Sequence, residues 1–143
     1  MTVASILSTK GNNVITEKSG SSLNDICKTL AQYKIGAIVI ADEAGHIEGI
    51  ISERDIVKVI GADGPSALER KVADVMTKSV VTCKAEDSIN AVMSKMNAGR
   101  FRHVPVVQDD KVVGVISIGD VVKFKIAQVE MEAEQMRSYI TMA

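Results

Sequence analysis

The sequence predicts an α/β (α+β) fold in which one β-α-β-β-α unit is used twice and a helix closes the chain. Three observations predict it: short segments recur at a constant offset, strand and helix spacings follow the same order in each copy, and a heptad-like apolar stripe comes after the second copy.

The recurrence is specific. Val14-Ile15-Thr16 returns as Val80-Val81-Thr82, and Ser22-Leu23-Asn24 as Ser88-Ile89-Asn90. Ala37-Ile38-Val39-Ile40 returns as His103-Val104-Pro105-Val106. After a loop one residue shorter, Gly49-Ile50-Ile51-Ser52 returns as Gly114-Val115-Ile116-Ser117, and Asp55 as Asp120.

Each copy opens with a short strand ending in Thr16 or Thr82. A helix follows, with Leu23, Ile26, Cys27 and Leu30 on one face in the first copy and Ile89, Val92, Met93 and Met96 in the second. A β-branched strand comes next, Ala37 to Ala41 or Val104 to Val107. It turns through Asp42–Gly45 or Gln108–Asp110 into another strand that ends at Ser-x-x-Asp and a second helix. The chain divides into a first repeat with its linker (1–66), a second repeat (67–124) and a terminal helix (125–143). A repeat of this size buries too little surface alone, so the two are expected to pack together as an intramolecular pseudo-dimer.

In the terminal helix, Val122, Ile126, Val129, Ala133, Met136 and Ile140 alternate spacings of four and three. The stripe either packs back on its own domain or meets a helix of another subunit. It outlasts what a small domain can cover, which favours a homodimer contact.

Composition narrows the function. Hydrophobic residues are 46% of the chain and aromatics 3%, so aliphatic side chains do the packing. A net charge of −1 supplies no field toward nucleic acid or anionic lipid. Cys27 and Cys83 lack metal or disulfide spacing and read as buried thiols in a reducing compartment. No signal-like start and no membrane-length apolar run occur, so the expected location is cytoplasmic and no membrane partner is expected.

The chemistry resides in Gly-h-h-Ser-x-x-Asp (h, apolar), present as Gly49–Asp55 and Gly114–Asp120. It lies where a strand enters a helix, where free amides and the helix dipole can hold a phosphate. Serine adds a hydroxyl donor, and aspartate can accept ribose hydroxyls. The same spacing also makes a capping box that needs no ligand, and Ser22-Leu23-Asn24-Asp25 reads as a cap alone. Recurrence of the glycine, the branched pair and the aspartate together exceeds what a cap requires.

The duplicated unit, the run Arg102-His103-Val104-Pro105-Val106-Val107 and the two Gly-h-h-Ser-x-x-Asp elements resemble the cystathionine-β-synthase (CBS) domain family over about Val3 to Phe124. The resemblance implies an adenine nucleotide (AMP, ADP, ATP or NAD(H)) as regulatory ligand in the cleft between the repeats. It assigns phosphate contact to Ser52 and Ser117, where family members often carry threonine, and ribose contact to Asp55 and Asp120. Thr16 and Thr82 would line base pockets. Ile35-Gly36-Ala37 and Arg102-His103-Val104, running into Pro105, would form the walls. Arg54 and Arg102 are the phosphate partners. Gly36 stands where the second copy has Arg102, so the two sites are expected to differ.

No phosphate-binding P-loop, dinucleotide fingerprint, metal-ligand cluster or paired acid–base set occurs, so no enzyme activity and no metal site are expected. A regulated protein partner is expected, its identity open. The competing reading is an interaction scaffold with empty clefts, in which Ser52, Asp55, Ser117 and Asp120 are caps.

Overall fold

A computed structural model describes residues 1–11 and 13–142; Asn12 and Ala143, which fall within the expected segments, lie outside it. The first repeat contains β1 (Thr16–Glu17), α2 (Leu23–Tyr33), β2 (Ala37–Ala41), β3 (Ile47–Ser52) and α3 (Glu53–Asp63). The second contains α4 (Ile89–Gly99), β4 (His103–Gln108), β5 (Lys111–Ser117) and α5 (Ile118–Met142). Helix α1 (Val3–Lys10) precedes them, and two 3-10 turns, Pro65–Glu69 and Val72–Asp74, join them.

Strands β1-β2-β3 form one sheet, with β1 parallel and β3 antiparallel to β2. Strands β4 and β5 form an antiparallel pair. The opening strand expected at Thr82 shrinks to a single bridge, Cys83 to Val106. Proline explains the loss. In the first repeat Thr16 pairs with Val39, and the equivalent partner of Thr82 is Pro105, which has no N–H to offer a ladder.

The apolar stripes of α2 and α4 bury as their spacing requires, with Leu23, Ile26 and Leu30 in one core and Ile89, Val92 and Met96 in the other. Two cores result, and they do not follow chain order. Val3, Ile6 and Leu7 of α1 pack into the second core, with Val104, Val106, Ile116 and Val121. Val72, supported by Leu68, Val75 and Met76, packs into the first, with Ile38, Ile40, Ile51 and Ile56.

The exchange is sealed at the helix starts. The first helical amide of α2, on Leu23, donates to the Arg70 carbonyl at 2.9 Å, and that of α4, on Ile89, to the Met1 carbonyl at 3.3 Å. Each satisfies a donor that its own helix leaves orphaned. Each connecting segment is thus tied to the repeat on the other side.

The second helix of the second repeat and the expected terminal helix are one element, α5, without a break. Its last buried residue is Val121; beyond it Val122, Ile126, Val129, Met136 and Ile140 are all exposed. No described helix is long and apolar enough to cross a membrane.

Candidate functional site

Both Gly-h-h-Ser-x-x-Asp elements fold as strand-to-helix turns with side-chain caps. At α3 the Ser52 amide and hydroxyl donate to Asp55 Oδ2 at 2.9 and 3.0 Å, and the Asp55 amide donates to Ser52 Oγ at 3.3 Å. At α5 the Ser117 amide donates to Asp120 Oδ2 at 2.9 Å and the Asp120 amide to Ser117 Oγ at 3.1 Å. Ser22 caps α2 through the Asp25 amide at 3.1 Å.

These caps change where a phosphate would be held. Of the first three helical amides of α3, that of Glu53 donates to the Gly36 carbonyl at 2.9 Å and that of Asp55 to Ser52. Only the Arg54 amide is left. The free N–H cluster expected from the sequence is therefore mostly consumed, because β2 starts close enough to supply its own carbonyl.

The motif glycines also have a packing reason. A Cβ on Gly49 would lie 2.5 Å from Met76 Sδ and 2.9 Å from the Thr77 carbonyl oxygen, and one on Gly114 would lie 2.7 Å from a Leu7 methyl. In each case the segment preceding the other repeat crosses the strand there. Thr77 exchanges both backbone hydrogen bonds with Ile50 at 2.9 Å.

A cavity of about 310 Å³ opens between the halves, within the range of small-molecule sites. The start of β2 contributes Gly36 and Ala37, and the β3–α3 turn contributes Ser52, Arg54 and Asp55. The other half contributes Arg102 and His103 at the start of β4. The structure thus brings together seven of the residues singled out in the sequence. Thr82 instead faces a shallower groove with His46 and Lys78, and Val104 and Pro105 are buried within β4. Thr16 lies exposed on β1, away from the cavity lining.

Sequence reasoning missed the rest of the lining, including Lys58, Arg100, Phe101 and most of the Thr77–Val81 segment. Arg100 lies outside the motif of either copy. It and Lys34 end α4 and α2 at equivalent positions, both left-handed at φ 56° and 54°, a conformation uncommon for non-glycine residues.

The lining carries Arg54, Lys58, Arg100 and Arg102 against Glu53 and Asp55. None of the three arginines forms an ion pair among the described residues. A second, more open cavity meets the first at Arg54, Arg100, Phe101 and Arg102, so the guanidiniums ring a shared mouth.

The second motif is arranged differently. The Lys10 ammonium, reaching from the end of α1, donates to Asp120 Oδ2 at 2.7 Å and to the Val115 carbonyl at 2.8 Å. Burial alone would raise the Asp120 carboxyl, but hydrogen bonds from Lys10 and Ser117 outweigh it and hold the pKa below the ordinary carboxylate value. The aspartate of the first motif faces a cavity, whereas that of the second is occupied by a side chain of its own protein.

His103 is half-buried, its ring 3.3 Å from where a Cβ on Gly36 would stand. Burial pushes its pKa down, helped by Lys10 and opposed by Glu53 and Asp120. Cys83 is buried, its thiol pushed up to about 11 chiefly by burial and then by Asp87; Cys27 is only half-buried. Among the described residues no group of three or more His, Cys, Asp or Glu side chains could hold a metal ion.

Comparison with known proteins agrees with this architecture. The CBS domain family model matches residues 3–62 and 72–127. The chain is 30% identical over 147 residues to the CBS domain-containing protein CBSX3, mitochondrial, of Arabidopsis thaliana, covering 97% of this chain and 71% of that protein. It spans only 23% of a longer relative, CBSCBSPB2 of the same plant, at 27% identity. The CBS-domain containing protein ATU1752 from Agrobacterium tumefaciens superposes with a TM-score of 0.85 at 41% identity, over 87% of this chain and 99% of that one. The CBS domain pair of protein MJ0100, solved with 5′-methylthioadenosine and S-adenosyl-L-methionine, superposes with a TM-score of 0.81 at 28% identity, over 90% of this chain and 98% of that one. A duplicated β-α-β-β-α unit, matched by the family model in both halves, makes this chain a member of the CBS-domain family.

Proposed function

We propose that the chain is a regulatory module that binds an adenine nucleotide in the cavity between its repeats. One observation carries the reading: three arginines that form no ion pair among the described residues and a ribose-competent aspartate, Asp55, converge on one cavity built from both halves. All three Asp55 contacts to Ser52 leave its Oδ1 available to ribose hydroxyls. The guanidiniums grip phosphate through paired donors, so AMP, ADP, ATP or NAD(H) fits better than a ligand whose charge is positive. The adenosine compounds bound by the MJ0100 pair support the adenosine half of this reading.

Signalling on this reading is a population shift. A ligand touching both halves favours one arrangement of the cleft, by no more than its difference in affinity between arrangements. The module acts without catalysis in the cytoplasm, as a homodimer that a regulated protein reads. The second motif, held by Lys10, binds weakly or not at all.

A scaffold reading rests on a different observation, that both capping boxes are complete without any ligand. A thermal-shift series with AMP, ADP, ATP, NAD, NADH and S-adenosylmethionine separates the two. Ligand at a hundred times its dissociation constant adds about 2.7 kcal/mol. Expected is a shift with phosphate-bearing compounds, least with S-adenosylmethionine, lost in Asp55→Asn and kept in Asp120→Asn. No shift from any compound at millimolar concentration would leave the scaffold reading in place.

A further inference from the structure

The exposed stripe of α5 carries information on how it is covered. Taking Ile126, Ala133 and Ile140 as a positions and Val122, Val129 and Met136 as d positions, the flanking e positions are Lys123, Glu130 and Arg137. The g positions are Lys125, Glu132 and Tyr139. All six seam residues are exposed in the single chain.

These flanks discriminate between orientations. In a parallel, in-register pair each g residue faces the e residue five positions on in the partner helix. Lys125 then meets Glu130, and Glu132 meets Arg137, each contact made twice by symmetry. In an antiparallel pair e faces e and g faces g, and one alignment keeps all six seam residues in contact. Lys123 would meet Arg137, Glu130 would meet Glu130 and Glu132 would meet Glu132. Both parallel pairings are attractive, whereas in this antiparallel alignment the like-charged pairs repel and Lys125 meets the uncharged Tyr139. Sliding the antiparallel helices by one heptad brings Lys123 to Glu130 and Lys125 to Glu132 but leaves Met136 and Ile140 outside the seam.

Isoleucine at two of the three a positions suits two strands, but valine rather than leucine at the d positions Val122 and Val129 does not, so strand number rests on sedimentation rather than on the seam. The residues beyond Val121 reach about 30 Å at 1.5 Å per residue, enough for almost three heptads. The pair Arg137–Glu134 within one helix, at 3.5 Å and largely solvated, is weak enough to be exchanged for a partner contact.

We infer that α5 binds a second copy of this chain as a parallel, in-register two-stranded coiled coil, selected by the Lys125–Glu130 and Glu132–Arg137 pairs. The inference deepens the homodimer reading, and its test separates the two. Sedimentation equilibrium on the whole chain reads whether a dimer exists. Oxidation of Val129→Cys, with the native chain as control for Cys27 and Cys83, reads its geometry. A d position lies beside its own copy only in the parallel register, so Val129→Cys is expected to give a covalent dimer on a non-reducing gel. Glu130→Lys is expected to weaken dimerisation roughly tenfold, by turning two attractive contacts repulsive, and Lys125→Glu added to it to restore most of the loss.

A dimer whose Val129→Cys variant does not cross-link, or which cross-links only when Val129→Cys is mixed with Ala133→Cys, would overturn the parallel coil and leave the homodimer reading standing. A monomer at all concentrations would overturn both. Nucleotide response in these variants is expected to match the native chain, since none of the substituted residues lines the cavity.

Discussion

At the residue scale, His103 ties stability to pH through its place between the halves. Its folded pKa is lowered by burial. A histidine shifted that way contributes stability that is complete above its unfolded value, about 6.5, and is lost as pH falls below it. Thermal midpoints of the free protein are therefore expected to decline from about pH 7 toward pH 5.5, and more in the native chain than in His103→Gln. Asp120, also lowered, acts in a separate window. Its contribution is present above the ordinary carboxylate value of about 3.9 and is lost as pH falls through the folded one. Glycine substitutions test the packing account of the motif. Gly49→Ala drives a Cβ into a backbone carbonyl and is expected to cost about 1–3 kcal/mol in denaturant unfolding. Gly114→Ala meets only a leucine methyl that can rotate away, so its cost should be smaller. Gly36→Ala places a methyl against the His103 ring at the cavity wall, and should weaken nucleotide response more than it weakens the fold.

At the scale of elements, what the sequence made legible depended on periodicity. Helices α2 and α4 repeat apolar residues over three turns, and both lie where that spacing put them. The hairpins were legible because β-branched runs flank polar turns. Helix α1 was not. Its eight residues bury only three side chains, too few for a period to show, and its contacts lie with the far repeat. The missing ladder at Thr82 was in principle readable, since Pro105 was in view; what was lacking was the register that sets it opposite Thr82. Leu7→Ala tests the reach of α1. Leu7 is 7% exposed, so about 2–5 kcal/mol should be lost. Hydrogen exchange should report the loss first in α4, β4 and β5, although these are far from Leu7 in sequence.

At the scale of the whole molecule, the two motifs look alike in sequence and differ in surroundings. Gly36 opposite Arg102 signalled that they would be unlike. The lysine that makes the difference comes from α1, which lies outside the β-α-β-β-α unit. Arg100 and the Thr77–Val81 segment were hidden for the same reason, because they join the cavity from the half that does not carry its motif. Each core also takes a segment from the other side of the chain, so denaturation should be a single transition with coincident probes in both halves.

That exchange has a consequence during synthesis. The first core lacks Val72 and its neighbours until the chain has grown past Met76, so the first repeat cannot close as soon as its own residues have been made. Helix α1 has to wait longer, because its partners in the second core extend to Val121, beyond both hairpins. Val3, Ile6 and Leu7 therefore stay unburied until both repeats have been made, and a segment made before either repeat is among the last to reach its place.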